Sequence, residues 1–250
     1  MRFLYQNEIL IEMVTAKTGR VKSYIQGLDP LMGGGFKSNS INLVIGGAGS
    51  GKTIFGIQFL YNRIMKNNET VLYITFEEKK KELYENMLIL GWDLEKLEKR
   101  GKFIFLEYSP EQVKKMLVEG GGLIENIITK SKVKCLVIDS ITSFTLLYEN
   151  ELSRKEAALS LFGLIRNWDC TALLTEEITD FEKDEKGGLQ FEVDSIILLY
   201  HGKEKGIRKR AIEILKQRGT THAGKTLEIE VTSKGLVVNP NKIVTFKENS

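Results

Sequence analysis

The run Gly46-Gly47-Ala48-Gly49-Ser50-Gly51-Lys52-Thr53 has the spacing G-x-x-x-x-G-K-[ST]. Glycines at these positions let the backbone turn tightly and aim its N–H groups inward, which suits phosphate oxygens. A helix expected to begin at Lys52 adds the positive end of its dipole. Lys52 is placed to reach the β and γ phosphates of a nucleotide, and the Thr53 hydroxyl to ligate Mg²⁺. Gly47, Ala48, Gly49, Ser50, Gly51, Lys52, Thr53 and Ile54 are therefore the candidate nucleotide-binding residues, with ATP and Mg²⁺ the implied cofactors.

A second carboxylate must hold the magnesium shell. Lys134 to Ser140 reads as an apolar strand that ends in Asp139. A carboxylate at the C-terminal end of a parallel strand beside a phosphate loop is where such a ligand belongs. Thr53 and Asp139 are the candidate metal ligands. The group that activates water is open between two pairs, Glu77-Glu78 after VLYITF and Glu176-Glu177 after TALLT. Both pairs end strands at the expected rim, and a carboxylate there can orient water toward the γ phosphate. The competing reading of either pair is a solvated charge cap. The segment His201–Arg218 is basic, with seven Lys and Arg against Glu204 and Glu213. Lys216 and Arg218 fall on one face by the period of two, so both can reach a single anion.

These residues need a scaffold. Strand candidates at Ile41–Ile45, Val71–Thr75, Phe103–Leu106, Val133–Ile138 and Thr171–Thr175 alternate with helix candidates at Lys52–Lys66, Lys79–Leu90, Pro110–Ile128 and Ser153–Asn167. Ser153 and Glu156 fit a capping box at the last of these. The strands are nearly all apolar, as a parallel sheet covered on both faces requires. After Asp180 four strand-like segments follow without a helix, and hairpins are expected to extend one edge of the sheet. The expected fold is α/β, with a mostly parallel twisted sheet, helices on both faces and an antiparallel C-terminal edge extension. Trp92 and Trp168 are expected as packed rings. Of the 250 residues 42% are hydrophobic and 28% charged, with a formal charge of +3, which excludes disorder and does not announce a nucleic-acid binder. Two cysteines in apolar runs exclude a disulfide scaffold and point to reduced thiols in the cytoplasm. No secretory signal and no membrane-spanning run is read in the chain.

The pattern resembles the KaiC branch of the RecA-like P-loop ATPases, in particular its single-domain archaeal members. The resemblance runs from Gly27-Leu28-Asp29 and the Gly33–Gly35 run through GAGSGKT, FGIQFLYN, ITFEE and LVIDS to KQRGTTH and GLVV, about residues 20–240. It implies one domain over 19–250; residues 1–18 fall outside the match and are read as an N-terminal extension, a candidate docking strand. It implies that Glu77 and Glu78 are the catalytic carboxylates, which selects between the two pairs. It implies that Asp139 is the Walker-B residue. It also implies that Lys216 and Arg218, with His222 near them, approach the nucleotide of the adjacent subunit in a homo-hexameric ring. Gly187-Gly188-Leu189-Gln190 stands where the tandem-domain clock protein carries its phosphorylated Ser-Thr pair, so self-phosphorylation and a clock role are not carried over.

Three functions compete on this reading. The favoured one is a slowly hydrolysing, oligomeric Mg²⁺-ATPase with a regulatory or assembly role and a protein partner that the sequence does not name. The alternatives are a DNA-dependent recombinase-like ATPase and an ATP-gated scaffold of the archaellum motor type. The segment Glu176–Gly188 carries six acidic residues against two lysines, net −4, and a loop that lines a DNA channel should not be acidic. Single-stranded DNA at physiological salt is therefore expected to stimulate ATP turnover by less than about tenfold, since binding rests on phosphate neutralisation. A coupled ATPase assay with and without DNA checks this, and stronger stimulation would favour the recombinase reading.

Overall fold

The computed structural model describes residues 19–120, 122–177, 191–204 and 206–246. The N-terminal extension, most of the acidic segment and Gly187–Gln190 lie outside the described residues. In chain order the elements begin with β1 (Arg20–Val21), a short 3-10 turn (Asp29–Met32) and β2 (Phe36–Lys37). They continue with β3 (Ile41–Gly46), α1 (Lys52–Asn67), β4 (Val71–Thr75), α2 (Lys80–Ile89), α3 (Leu94–Lys99) and β5 (Phe103–Glu107). Next come α4 (Pro110–Val118), α5 (Gly122–Ser131), β6 (Cys135–Asp139), α6 (Ile141–Thr145), α7 (Glu151–Asn167) and β7 (Thr171–Glu177). The last four strands are β8 (Ser195–Glu204), β9 (Ile207–Gln217), β10 (Leu227–Thr232) and β11 (Gly235–Ile243).

β3 to β11 form one nine-stranded sheet in the order β11-β10-β9-β8-β3-β7-β6-β4-β5. Every neighbour pair from β8 across to β5 is parallel, and every pair from β8 out to β11 is antiparallel. This is the RecA-like α/β arrangement that the sequence implies, extended at one edge by hairpins. Burial follows the period of two. Val71, Tyr73, Cys135, Val137 and Leu173 face one apolar core with Phe55, Phe59 and Leu60 of α1. Leu72, Ile74, Leu136, Ile138 and Leu174 face the other with Phe144, Leu161, Phe162 and Ile165. With both faces covered, the strands carry no polar face to alternate with.

Several boundaries differ from expectation. The expected helix over 110–128 is two, α4 and α5, because Gly120 turns through φ +79 between them. The cap of α7 is Asn150, whose side chain accepts from the Ser153 N–H, so Ser153 lies within the helix and not at its cap. β8 first continues the parallel sheet beside β3 and only then turns back. β9 is thereby an interior strand between β8 and β10, and Lys216 sits inside the extension, not on its outer edge. Trp92 and Trp168 are buried, and the Trp92 ring stacks on Tyr61. Among the described residues no helix is long and apolar enough to cross a membrane.

The segment ahead of β3 packs on the extension, and Gly27 marks the contact. Gly27 has φ +82, and a Cβ there would meet the Val238 carbonyl oxygen at 2.3 Å. Gly101 has φ +68 with nothing within 4 Å of the same position. Gly101→Ala should cost about 1–2 kcal/mol, the penalty of left-handed backbone alone. Gly27→Ala should cost roughly 1–3 kcal/mol more, from overpacking. Denaturant unfolding of both variants checks the difference, and equal costs would contradict the packing described.

Candidate nucleotide site

β3 ends at Gly46, and the chain wraps from there through Gly51 into α1. Gly49 (φ +72) and Gly51 (φ +103) adopt backbone that only glycine takes without strain. A Cβ at Gly46 would meet the Leu199 carbonyl and the Ser50 hydroxyl, each at 2.5 Å. Lys52 Nζ donates to the carbonyls of Gly46 (2.7 Å) and Gly47 (3.1 Å), so its charge lies over the loop. Ser50 Oγ is buried in the cradle without a hydrogen-bond partner among the described residues. An unpaired buried hydroxyl is costly and calls for a partner within the cradle.

Thr53 and Asp139, separated by 86 residues in sequence, meet directly. Thr53 Oγ1 donates to Asp139 Oδ2 at 2.8 Å. Tyr73 Oη donates to the same oxygen at 2.8 Å, and Thr175 Oγ1 donates to Oδ1. The buried aspartate is therefore supplied with hydroxyl donors from α1, β4 and β7. Burial and the adjacent Asp139 push the Tyr73 hydroxyl well above its usual pKa, so it remains a donor. A hydroxyl and a carboxylate side by side at the first turn of the helix are hard oxygen donors of the kind Mg²⁺ prefers.

The Glu77-Glu78 pair follows β4. The register sets Thr75 opposite Asp139, and Thr75 Oγ1 accepts from the N–H groups of both Glu77 and Glu78. That turn holds the two carboxylates beside the phosphate loop. Glu77 accepts from the hydroxyls of Ser140 and Ser143. Glu78 differs, since its Oε2 is buried with no hydrogen-bond partner among the described residues. Burial, then the Asp139 and Glu77 carboxylates beside it, pushes the Glu78 carboxyl up to about 7. Glu176 and Glu177 end β7 at the same rim, level with Ile45 and Gly46, and the Glu177 N–H donates to Thr142 Oγ1.

Lys216, Arg218 and His222 are not part of this cluster. Lys216 pairs with Ile196, and Asn42 at the start of β3 pairs with Ser195, so the arm lies at the opposite end of the sheet from the loop. Four residues of β3 separate the two levels, about 13 Å at strand spacing. Lys216 Nζ and Arg218 Nη2 converge on one acceptor, the Phe191 carbonyl, at 3.2 and 2.6 Å. His222 is exposed, with Nδ1 3.4 Å from the Ala223 carbonyl.

Sequence reasoning missed the supporting hydroxyls of Tyr73, Thr175, Ser140 and Ser143. A tyrosine between the aliphatic Leu72 and Ile74 in the run VLYIT was the one visible signal. It also missed Arg210, whose Nε donates to the Gly49 carbonyl at 2.9 Å and so braces the loop from β9. Its only sequence mark was membership of a basic run.

The family described as "ATPase: KaiC" matches residues 21–243 of the chain. The chain belongs to the KaiC ATPase family. It is 31% identical over 242 residues to a UPF0273 protein of Methanocaldococcus jannaschii, covering 91% of this chain and 99% of that one. It is 34% identical over 234 residues to the circadian clock oscillator protein KaiC of Synechococcus elongatus, covering 88% of this chain. It spans only 44% of that clock protein's length. The crystal structure of a KaiC-like protein of Pyrococcus horikoshii superposes with a TM-score of 0.79 at 33% identity, covering 88% of this chain and 99% of that one. Family membership is consistent with ATP binding and hydrolysis by the loop just described.

Glu78 yields a pH prediction. Its folded pKa near 7 lies above the ordinary value of 4.5, so the folded state disfavours its charge. Below about 4.5 both states hold the proton and no penalty exists; the penalty grows through the interval and is complete above about 7. Glu78→Gln should therefore raise the Tm of the nucleotide-free protein at pH 8, with the gain shrinking toward zero at pH 4.5. Differential scanning across that range checks it, and a gain that does not grow with pH would contradict the burial of this carboxylate.

Proposed function

We propose that the protein is a Mg²⁺-dependent ATPase that turns over slowly and works as a ring-shaped homo-hexamer with ATP at the interfaces between protomers. The observation that carries this reading is the 2.8 Å contact of Thr53 with Asp139 inside a glycine cradle, with Glu77 and Glu78 held beside it. Gly47–Ile54 would hold the phosphates, with Lys52 as the point charge. Thr53 and Asp139 would hold the metal, which when bound polarises the phosphate oxygens and neutralises developing charge. Glu78, with a free oxygen and a carboxyl that titrates near neutrality, is suited to take a proton from water, and Glu77 to orient it from its serine-held position.

The arm completes the site from outside. Lys216 and Arg218 lie too far from their own loop to serve it, yet present two cations at a single oxygen acceptor. Such a pair suits a phosphate oxygen of the neighbour's nucleotide, with His222 nearby. With those cations out of reach in cis, an isolated protomer should hydrolyse slowly. One surface then meets a different surface of the next copy, and such contacts close into rings when the rotation allows. That the clock relatives are oscillator proteins supports regulatory work, though this chain covers under half of their length. Cys135 and Cys170 are free, buried thiols on opposite faces of the sheet, which accords with a cytoplasmic location.

Mixed rings test the reading. Lys52→Ala removes the loop's charge and Arg218→Ala the arm's, and each variant alone should be nearly inactive. In a one-to-one mixture roughly a quarter of the interfaces join an intact loop to an intact arm, because the contact is heterologous. Activity should return to about that fraction. If light scattering shows mixed rings and no activity returns, the arm does not act across the interface.

A further inference from the structure

The run from Gly27 to Gly35 is punctuated by four glycines and a proline, and the nucleotide site makes no use of it. Its contacts lead to the arm. Gly33 has φ +59, and a Cβ there would meet Thr220 Oγ1 at 2.3 Å, so this run and the turn after β9 lie against each other. The Ala223 N–H donates to the Leu31 carbonyl at 3.0 Å. Gln217 Nε2 donates to the Gly35 carbonyl at 3.2 Å. Arg20, in the short strand that pairs with β2, spans the contact. Its Nη2 donates to the Gly219 carbonyl at 2.9 Å and the Arg218 carbonyl at 3.4 Å, and its Nη1 to the Gly35 carbonyl at 3.4 Å.

Past Gln217 the chain leaves the ladder, and its carbonyls need other donors. Arg20 supplies them. The Arg218 N–H is meanwhile held by the Asp194 carbonyl at 2.8 Å and its guanidinium by the Phe191 carbonyl. Both backbone polar groups of Arg218 and its side chain are thus fixed at once. A planar, always-charged fork spreads its donors over carbonyls at separate places, which the single ammonium of a lysine does less completely. A residue that must meet a phosphate across an interface gains from such fixing, since displacement by about 1 Å can cost on the order of 100-fold in rate.

We infer that Arg20, seated on the Gly33–Gly35 run, is a positioning residue for Arg218, and that it acts on the neighbouring protomer's site and not on its own. The inference rests on the reading that the arm serves the adjacent loop. Arg20→Ala should lower turnover by roughly 10–100-fold with little change in the KM for ATP, in line with the cost of misplacement. Arg20→Lys should recover part of that loss. The decisive measurement is complementation. Arg20→Ala protomers keep an intact loop and lose the arm, so mixing with Lys52→Ala should restore activity and mixing with Arg218→Ala should not. The reverse pattern, or wild-type turnover by Arg20→Ala, overturns the inference. If Lys52→Ala and Arg218→Ala themselves fail to complement in rings that form, the trans-acting arm falls and the role of Arg20 with it. If they complement and the Arg20 pattern fails, only the role of Arg20 falls. Should Arg20→Ala not fold, Arg20→Met takes its place in the same mixtures. It keeps much of the length of the apolar stem and removes the donors to the Arg218, Gly219 and Gly35 carbonyls. Full activity of that variant would likewise overturn the inference.

Discussion

The Asp139 carboxylate lies buried in the sheet, and a buried charge persists only where donors replace its water. Here three hydroxyls do so, each from a different element: Thr53 on α1, Tyr73 on β4 and Thr175 on β7. Tyr73 is itself fixed between stacked rings, Phe103 and Phe105 of β5. One desolvated carboxylate therefore ties α1 to the sheet and links three neighbouring strands through their side chains. The position of α1 in turn fixes where the phosphate loop opens. The register at Asp139 puts Thr75 alongside, and Thr75 turns the chain so that Glu77 and Glu78 come back to the same rim.

The sheet has two working ends, and its topology makes them unlike. The parallel strands all finish at the rim that carries the loop, the metal ligands and the carboxylates. β9 runs the other way, so its C-terminal end delivers Lys216 and Arg218 to the opposite rim. Antiparallel pairing of β8 with β9 is thus more than an edge extension. It is the means by which a chain can present a phosphate site at one end and cations at the other. On the proposed reading this polarity is what drives head-to-tail association, because neither end can satisfy itself. A wholly parallel sheet would have gathered both sets of groups on one rim.

The legible parts of the sequence were those in which one local pattern had one physical cause. The glycine spacing of 46–51 before a helical period, and apolar runs that end in Asp139 or Glu77, placed the loop and the carboxylates at one rim correctly. Order and type of the main elements followed from alternation of strands and helices. Other features were illegible for identifiable reasons. The hydroxyls of Tyr73 and Thr175 act through contacts made across the sheet, and a strand sequence does not reveal which strand lies next to it. The position of β9 depended on β8 joining the parallel sheet before turning, which the apolar run at 195–199 left undecided between strand partners. The cap of α7 was misplaced by three residues because Asn150 and Ser153 are both good capping types, and only geometry chose the first.

Composition treats the glycine-rich runs at 27–35 and 46–51 alike, yet they answer different constraints. At Gly51 the nearest atom to an added Cβ is Leu236 Cδ2, at 3.7 Å, so what is required there is the positive φ that points N–H groups inward. At Gly27, Gly33 and Gly35 an added Cβ would meet the chain's own oxygens at 2.3, 2.3 and 2.4 Å. Those glycines exist so that two segments can touch. At Gly51 the loop run leaves room for an anion that comes from outside; in the run at 27–35, Gly33 removes room and presses the N-terminal segment onto the turn that carries Arg218. A loop that must close around a ligand benefits from space and spare donors. An arm that must reach a separate molecule benefits from having its freedom removed before they meet, since entropy lost on folding is not lost again on association.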